Sequence, residues 1–415
     1  MPAMHNRLPL AIVGAGASGL MAAYAAARVR PHSVVLLEKQ ERAGRKLLAT
    51  GNGRCNLLNA RPDPGRYHGS GAALARAYLE RTPPAALEAV FARMGLVCRE
   101  EEEGRVYPHS GQASAVLDVL RFACARSGVD LRCGQRVLGI ERRADSFALH
   151  MQETTLRAGA VVIAAGGAAA PSLGADESAY SLLSSLGHRM APLRPALSPL
   201  KLDTSRIRGL KGVRTPCALT LEVDGRAVQC ERGEALFTDY GVSGVAAMQL
   251  ARRAEEAVRT GRKTALRINL LEGCDALALA EARAALLDGM AMEDFFAGLL
   301  HRRIGLCLLR EAGIAPQTPV SPGAARRVAA LLQAWTLPVA GVLPLAHAQI
   351  TAGGAHASEF DPDTLMSRRA AGLFACGEAL DVDGDCGGYN LMWAWLSGLT
   401  AGESAARYLE GRDGR

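Results

Sequence analysis

The glycines of Gly14-Ala-Gly16-Ala-Ser-Gly19 and the carboxylate of Glu38 are the first residues of this chain whose types and spacing could do chemistry. The glycines follow an apolar run over 8–13 and precede a helix-like run over 20–29, and Glu38 closes Val34-Val35-Leu36-Leu37. Strand, glycine turn, helix and second strand in that order set a helix N-terminus under a pyrophosphate. Gly14 permits the tight turn, Gly16 lets the backbone approach the phosphates and Gly19 lets the helix pack closely on its strand. A glycine pattern alone is weak, but the flanking strand, the helix and an acid about twenty residues further on make it a dinucleotide site. A carboxylate at Glu38 accepts hydrogen bonds from both ribose hydroxyls and repels a 2′-phosphate, which favours the ADP half of FAD or NAD over NADP.

A second acid separates FAD from NAD. Ala370-Ala-Gly-Leu-Phe-Ala-Cys-Gly377-Glu378 reads as another buried strand ending in glycine and a carboxylate. In a two-part flavin domain such a segment returns to the sheet and offers its acid to the ribitol, which NAD lacks. The protein's task is then to bind, orient and tune a flavin. Thr50-Gly-Asn-Gly-Arg-Cys-Asn56 is a loop able to lay N–H groups along the diphosphate or the flavin edge, with Arg45 or Arg54 as a phosphate partner. Gly387-Gly388-Tyr389-Asn390 precedes a helix-like run over 391–399, so its amides are expected to face the negative charge at the pyrimidine end of a reduced flavin. Thr351-Ala-Gly-Gly354 is either a close approach of backbone to the ring, where glycine removes the blocking side chain, or a plain turn.

These segments, with Gly104-Arg-Val-Tyr-Pro108, Gly233-Glu-Ala-Leu-Phe-Thr238 and Gly377-Glu-Ala-Leu-Asp-Val-Asp-Gly384, give the chain a pattern that resembles the BaiN-like (YhiN-like) NAD(P)/FAD-dependent oxidoreductases along nearly its whole length. Members often read Phe-Thr-His and Tyr-Asn-Leu-Gln where this chain has Phe237-Thr238-Asp239 and Tyr389-Asn390-Leu391-Met392. The resemblance implies an α/β, doubly wound (Rossmann-type) domain with non-covalent FAD. It also implies NAD(P)H as a transient electron donor and an electron-poor, enone-like small organic acceptor, steroid-like in shape. Two other readings stay open: a dehydrogenase or hydroxylase passing electrons to oxygen or quinone, and a flavin-holding RNA-modification or partner-binding protein. The expected cofactor-binding residues are Gly14, Ala15, Gly16, Ser18, Gly19, Glu38, Arg45, Lys46, Asn52, Gly53, Arg54, Cys55 and Asn56 from the first part of the chain. Val137, Ala165, Gly166, Gly167, Gly354, Gly377, Glu378, Gly387, Gly388, Tyr389, Asn390 and Leu391 complete the set. Tyr389, Tyr107 and Asp239 are the candidate proton donors, with His109 and Tyr240 in neighbouring motif loops.

The elements that must position these residues read as one domain interrupted by another. Residues 1–190 alternate strands and helices, with helical spacing over 85–94 and 113–126 and strands over 129–133, 137–141 and 160–165. From 191 prolines appear, followed by a hairpin-like 219–223 with an Asp224-Gly225 turn and helical runs over 276–287, 292–311 and 324–332. Residues 191–345 are therefore expected to form an inserted substrate or cap domain, β-rich then helical, and 346–415 to complete the FAD domain.

Composition narrows the function classes. The chain has 415 residues, 49% hydrophobic, enough for two or three domains with cores of their own. Ten cysteines without a CxxC argue against a zinc ribbon or thioredoxin-type centre, and a reducing cytoplasm is the expected location. The uncharged stretch 8–27 behind Arg7 mimics a signal peptide or a membrane span, but its glycine spacing fits a strand and turn, so no membrane role is expected. The net charge of +7 is spread over clusters such as Arg206, Arg208, Lys211 and Arg214, and with 5% aromatic residues no nucleic-acid partner is expected. Nothing in the sequence sets an oligomeric state. Asp381-Val-Asp383-Gly-Asp385 begins like a calcium loop, yet Cys386 stands at its sixth position and Met392 at its twelfth, so no metal is expected. Cys55 and Cys386 are read as small hydrophobes rather than redox centres. Purified protein is expected to carry FAD that denaturation releases. A folded preparation holding FMN, NAD or covalently attached flavin would overturn this.

Overall fold

The computed structural model describes residues 8–413, so Arg7 lies outside the described residues. Two compact units form, one from the chain up to Arg194 and again from Ile350, the other from Pro195–Gln349.

The first unit is built on a five-stranded sheet in the order Leu373–Ala375, Ala160–Ile163, Leu10–Val13, Val34–Leu37, Asp130–Arg132. Every pairing is parallel. The central strands read Leu-Ala-Ile-Val, Val-Val-Leu-Leu and Ala-Val-Val-Ile and are buried throughout, as strands covered on both faces must be. Leu373–Ala375 comes from the far end of the chain and extends the sheet beyond Ala160–Ile163, so sequence-distant segments share one hydrogen-bonded ladder. The stretch expected as a strand over 137–141 instead begins an antiparallel meander of Gly139–Arg142, Phe147–His150 and Thr155–Ala158.

The helix Ala17–Val29 is alanine-rich and buried from Ser18 to Ala27. It packs on the C-terminal helix Tyr389–Asp413 through two glycines. A Cβ at Gly398 would stand 2.5 Å from the Ser18 carbonyl oxygen, and one at Gly402 would stand 2.1 Å from that of Ala22. Residue numbers rise together along the contact, so the two helices run parallel.

The second unit is a closed six-stranded barrel in the order Leu200–Leu202, Gly241–Ser243, Arg226–Phe237, Arg214–Val223, Thr264–Asn269, Trp335–Val342. Asp224 (φ 50°) and Gly225 (φ 77°) form the two-residue turn whose positive φ angles match the twist of the flanking strands. Leu219, Leu221, Phe237, Leu266, Ile268 and Trp335 fill the interior. The single helix expected over 292–311 is broken. Gly298 at φ 73° ends a 3₁₀ turn at Asp294–Phe296, and the helix restarts as Arg302–Glu311 with the His301 ring accepting from the Arg303 N–H. Thr351 to Gly354, read as a close backbone approach or a turn, belongs to the strand Ile350–Ala355 of the first unit.

Gly402→Ala is expected to destabilise the protein by about 1–3 kcal/mol, since the methyl meets backbone rather than a movable side chain. Gly411→Ala, in the same helix with open space around the added Cβ, should stabilise it by about 0.5–1 kcal/mol. Urea unfolding of both variants checks this, and equal midpoints would remove the helix contact from the account.

Candidate cofactor and active site

A cleft opens in the first unit along the carboxyl ends of the parallel strands, where ligands of open α/β sheets bind. Of the residues expected at the cofactor, Gly14, Gly16, Ser18, Glu38, Arg45, Lys46, Val137, Ala165, Gly166, Gly167, Glu378, Asn390 and Leu391 line it.

The three glycines act through backbone geometry. Gly14 has φ 101°, and a Cβ there would be 2.5 Å from the Ala164 carbonyl oxygen. A Cβ at Gly19 would be 1.8 Å from the Gly14 carbonyl oxygen, so helix and turn touch where no side chain fits. A Cβ at Gly16 meets nothing within 4 Å, and Gly16 is the N-cap of Ala17–Val29 with no side-chain cap. The open space therefore lies over unpaired N–H groups at the positive end of a helix, which fits a pyrophosphate.

Both key acids are tied by bonds from the protein. Glu38, 8% exposed, accepts the Ala15 N–H at Oε2 and the Gln40 N–H at Oε1, each at 2.8 Å. Ala15 itself is fully buried and serves by that bond. Each Glu38 oxygen keeps a lone pair for a ribose hydroxyl. Glu378 accepts the Thr351 N–H at 2.7 Å and the Lys46 Nζ at 2.9 Å, and Gly377 behind it is fastened by Ser397 Oγ and Trp393 Nε1. A Cβ at Gly167 would meet Glu378 Oε1 at 2.3 Å, so this glycine makes room for the acid.

Several expectations are corrected. Arg54 is not a phosphate arm: its guanidinium bonds Glu101 at 2.5 Å and lies 4.2 Å over the Tyr107 ring, leaving Arg45 as the arginine of the pair at the cleft. Cys55 and Asn56 turn into the fold. Cys55 is fully buried, and burial pushes its thiol up to about 12, which suits an inert side chain. With its amide oriented to satisfy both ends, Asn56 donates to the Leu58 carbonyl and accepts the Gly388 N–H, each at 3.2 Å. That bond removes Gly388 from the amides expected at the ring. A Cβ there would also lie 2.6 Å from the Leu58 carbonyl carbon, so Gly388 is a packing glycine. The Gly387 carbonyl is held by Asn59 Nδ2. Gly354 packs on Ala379 and Asp381 instead of lining the cleft. Asn52 and Gly53 are exposed in left-handed conformations beside Thr50, which does line it.

The candidate proton donors fare similarly. Tyr389 is buried, its hydroxyl accepts the Asp63 N–H at 2.9 Å and its ring stands edge-on to Tyr67. Tyr107 is buried under Arg54, and Asp239 belongs to the second unit, in an exposed ion pair with Lys211 at 2.6 Å. His109 is exposed, and the Tyr240 carbonyl accepts the Leu202 N–H. Met392 is fully buried with its sulfur accepting the Asn59 N–H at 3.2 Å, so that departure from the common pattern is a core substitution.

Two groups escaped the sequence reading. Asp176 bonds Lys39 at 2.6 Å and Arg136 at 3.0 Å, strapping the cleft-lining Leu173, Gly174 and Ala175 across the Glu38 side. Burial pushes the Asp176 carboxyl up, but the Lys39 and Ser178 bonds together outweigh it and hold it at about 2. His68 pairs with Asp385 at 2.8 Å. Neither pairing has a local sequence signature. Among the described residues no helix is long and apolar enough to cross a membrane, and no group of three or more His, Cys, Asp or Glu is placed to hold a metal.

Compared with known proteins, residues 8–404 match the HI0933-like protein Rossmann domain. The chain belongs to this family. It is 35% identical to the 3-dehydro-bile acid delta(4,6)-reductase of Clostridium scindens over 96% of this chain and 98% of the relative. It is 28% identical to the ribosomal RNA dihydrouridine synthase of Escherichia coli over 94% of this chain and 96% of that one. The solved structure of 3-ketosteroid-delta4-(5alpha)-dehydrogenase from Rhodococcus jostii RHA1 shares the fold, with a TM-score of 0.52 at 16% identity and 98% coverage of both chains. The chain is an FAD-dependent oxidoreductase with a Rossmann-type FAD-binding fold.

Glu38→Ala is expected to weaken FAD retention roughly ten- to a hundred-fold, the cost of a charged hydrogen-bond partner. Asp176→Asn should speed FAD loss. Because the folded-state value lies below the ordinary 3.8, the Asp176 contribution is complete above about pH 4 and fades only as pH falls toward 2. The Asp176→Asn defect should therefore be flat between about pH 5 and 8. Fluorescence of released FAD measures all of this, and parental retention in either variant removes that residue from the site.

Proposed function

We propose that the chain is an FAD-dependent reductase of carbon–carbon double bonds conjugated to a carbonyl, with NAD(P)H as a transient electron donor. The observation that carries this reading is the 35% identity, over nearly both full lengths, to a reductase whose named substrate, a 3-dehydro bile acid with Δ(4,6) unsaturation, is a conjugated enone. The dihydrouridine synthase relatives saturate a bond of the same kind, because the 5,6 double bond of uracil is conjugated to a ring carbonyl. When bound, FAD supplies the electron pair as hydride.

The chain's own residues bind and orient. Glu38 would hold the ribose, and the N–H groups at the start of Ala17–Val29, with Arg45 also lining the cleft, would bind the pyrophosphate. Asn390 and Leu391, in the first turn of the C-terminal helix and lining the cleft, would turn a positive helix end toward a bound flavin and favour the charge that develops on its reduction. Lys46, held by Glu378, adds a fixed cation to the same cleft.

A second reading, reduction of uridine within RNA, is favoured by the two dihydrouridine synthase relatives and by arginines of the second unit. Arg303 donates to the Gly209 and Lys211 carbonyls, and Arg310 to those of Arg206 and Arg208 and to the Cys307 sulfur, so neither guanidinium is neutralised by a carboxylate among the described residues.

Anaerobic mixing with NADH or NADPH should bleach the flavin band near about 450 nm within the mixing time of turnover. A 3-oxo-Δ4 steroid should then restore the colour faster than a uridine-rich ribosomal RNA fragment. The reverse order of acceptors favours the RNA reading, and failure of both nicotinamides to bleach the flavin sinks the reductase assignment.

A further inference from the structure

Saturating a conjugated double bond takes a hydride at one carbon and a proton at its neighbour, so a bound flavin leaves half the reaction to the protein. The tyrosines and the aspartate expected to supply that proton are buried, covered or ion-paired. The strand Tyr67–His68 offers another group. It pairs antiparallel with Asp383–Gly384, His68 opposite Asp383 and Tyr67 opposite Gly384. Alternation then turns Tyr67 into the core, where its hydroxyl donates to the Tyr389 carbonyl, and His68 to the other face. Two residues beyond Asp383, Asp385 lies on the same face as His68, and its Oδ1 is 2.8 Å from His68 Nε2. The imidazole is 30% exposed and the carboxylate 21%. No protein group among the described residues bonds His68 Nδ1.

The pair is joined to the cleft through Asn390. Its amide accepts the Gly384 N–H at 2.8 Å and donates to the Gly384 carbonyl at 2.6 Å and to the Asp385 carbonyl at 3.4 Å. Asn390 and Val382, one at each end of the Asp383–Gly384 strand, both line the cofactor cleft. The same turn thus anchors the helix N-terminus at the cleft and holds the backbone of Asp385, whose carboxylate meets the histidine. Carboxylate to Nε2, open Nδ1 and partial exposure are the arrangement of a general acid that solvent can reload.

We infer that His68, oriented by Asp385, is the catalytic acid that protonates the α-carbon of the conjugated acceptor. Resting on the proposed reductase function, the step balances as follows. The π bond of the acceptor breaks. The β-carbon gains the hydride that the reduced cofactor gives up on returning to its oxidised form, and the α-carbon gains the proton of His68 Nδ1–H. The doubly protonated ring becomes neutral, with Nε2–H still donated to Asp385, and takes a proton back from water.

The test compares two acceptors on one NAD(P)H-reduced preparation of holoenzyme: a 3-oxo-Δ4 steroid, which needs a proton at carbon, and ferricyanide, which takes electrons alone. For His68→Gln the ratio of steroid rate to ferricyanide rate should fall about 10²–10⁴-fold, the range of general acid catalysis, and for Asp385→Asn it should fall less. An unchanged ratio in His68→Gln overturns the inference alone. A parent that ferricyanide reoxidises and that neither the steroid nor a uridine-rich ribosomal RNA fragment reoxidises overturns the reductase reading and the inference with it. Nitrogen-15 NMR of His68 in the oxidised holoenzyme supplies a readout without turnover. The proton should be held on Nε2 in the parent and lose that preference in Asp385→Asn, and a His68 spectrum indifferent to Asp385 overturns the proposed orientation even if rates fall.

Discussion

Two helices that must touch through glycine, and must run the same way, organise the first unit. Ser18 meets Gly398 and Ala22 meets Gly402, so the start of the C-terminal helix lies about eight residues, or roughly 12 Å, beyond the start of Ala17–Val29. Parallel neighbours place both positive helix ends at one side of the sheet. Alone that arrangement is unfavourable, because like partial charges face the same cleft. An anionic ligand in the cleft would turn it into an advantage. Gly16 and Asn390 both line the cleft, as this account requires.

The polar groups of the cleft are held by bonds from the protein itself. Glu38 and Glu378 each accept bonds from the protein at both oxygens, and the Lys39–Asp176–Arg136 strap holds the neighbouring segment. Such groups need little reorganisation when a cofactor arrives, and the conformational cost of ordering them is met by folding. The left-handed Asn52 and Cys55 show the same economy in the backbone, since strained residues persist where their surroundings over-determine them.

The named reactions of the relatives, on a steroid-like dienone and on uracil, differ in substrate size and charge but not in the bond they saturate. A fold that holds one flavin can serve both if acceptor recognition lies outside the cofactor cleft. Asp239, in a motif where members often carry histidine, sits at the surface of the barrel unit, paired with Lys211.

Patterns contained in a short stretch of chain were legible directly. The buried strands, the glycine turn, Glu38, the return through Leu373–Ala375 and the Asp224-Gly225 hairpin each follow from local apolar runs, positive φ or close approach, properties of neighbouring residues. The meaning of residues within loops was not. Arg54, Cys55, Asn56, Gly388 and Tyr389 lie in the right motifs, but only the packing of Leu58, Glu101 and Tyr107 against them decides that they support the cleft from behind. The break at Gly298 likewise needed tertiary context, because helical spacing continues on both sides of it. Asp176 with Lys39 and Arg136, and His68 with Asp385, exist only once the chain is folded. A hydrogen bond between residues far apart in sequence leaves no period to read. The sequence by itself marked the segments that gather at the cleft, and the tertiary structure decided which of their side chains line it, because that depends on packing between residues far apart in the chain.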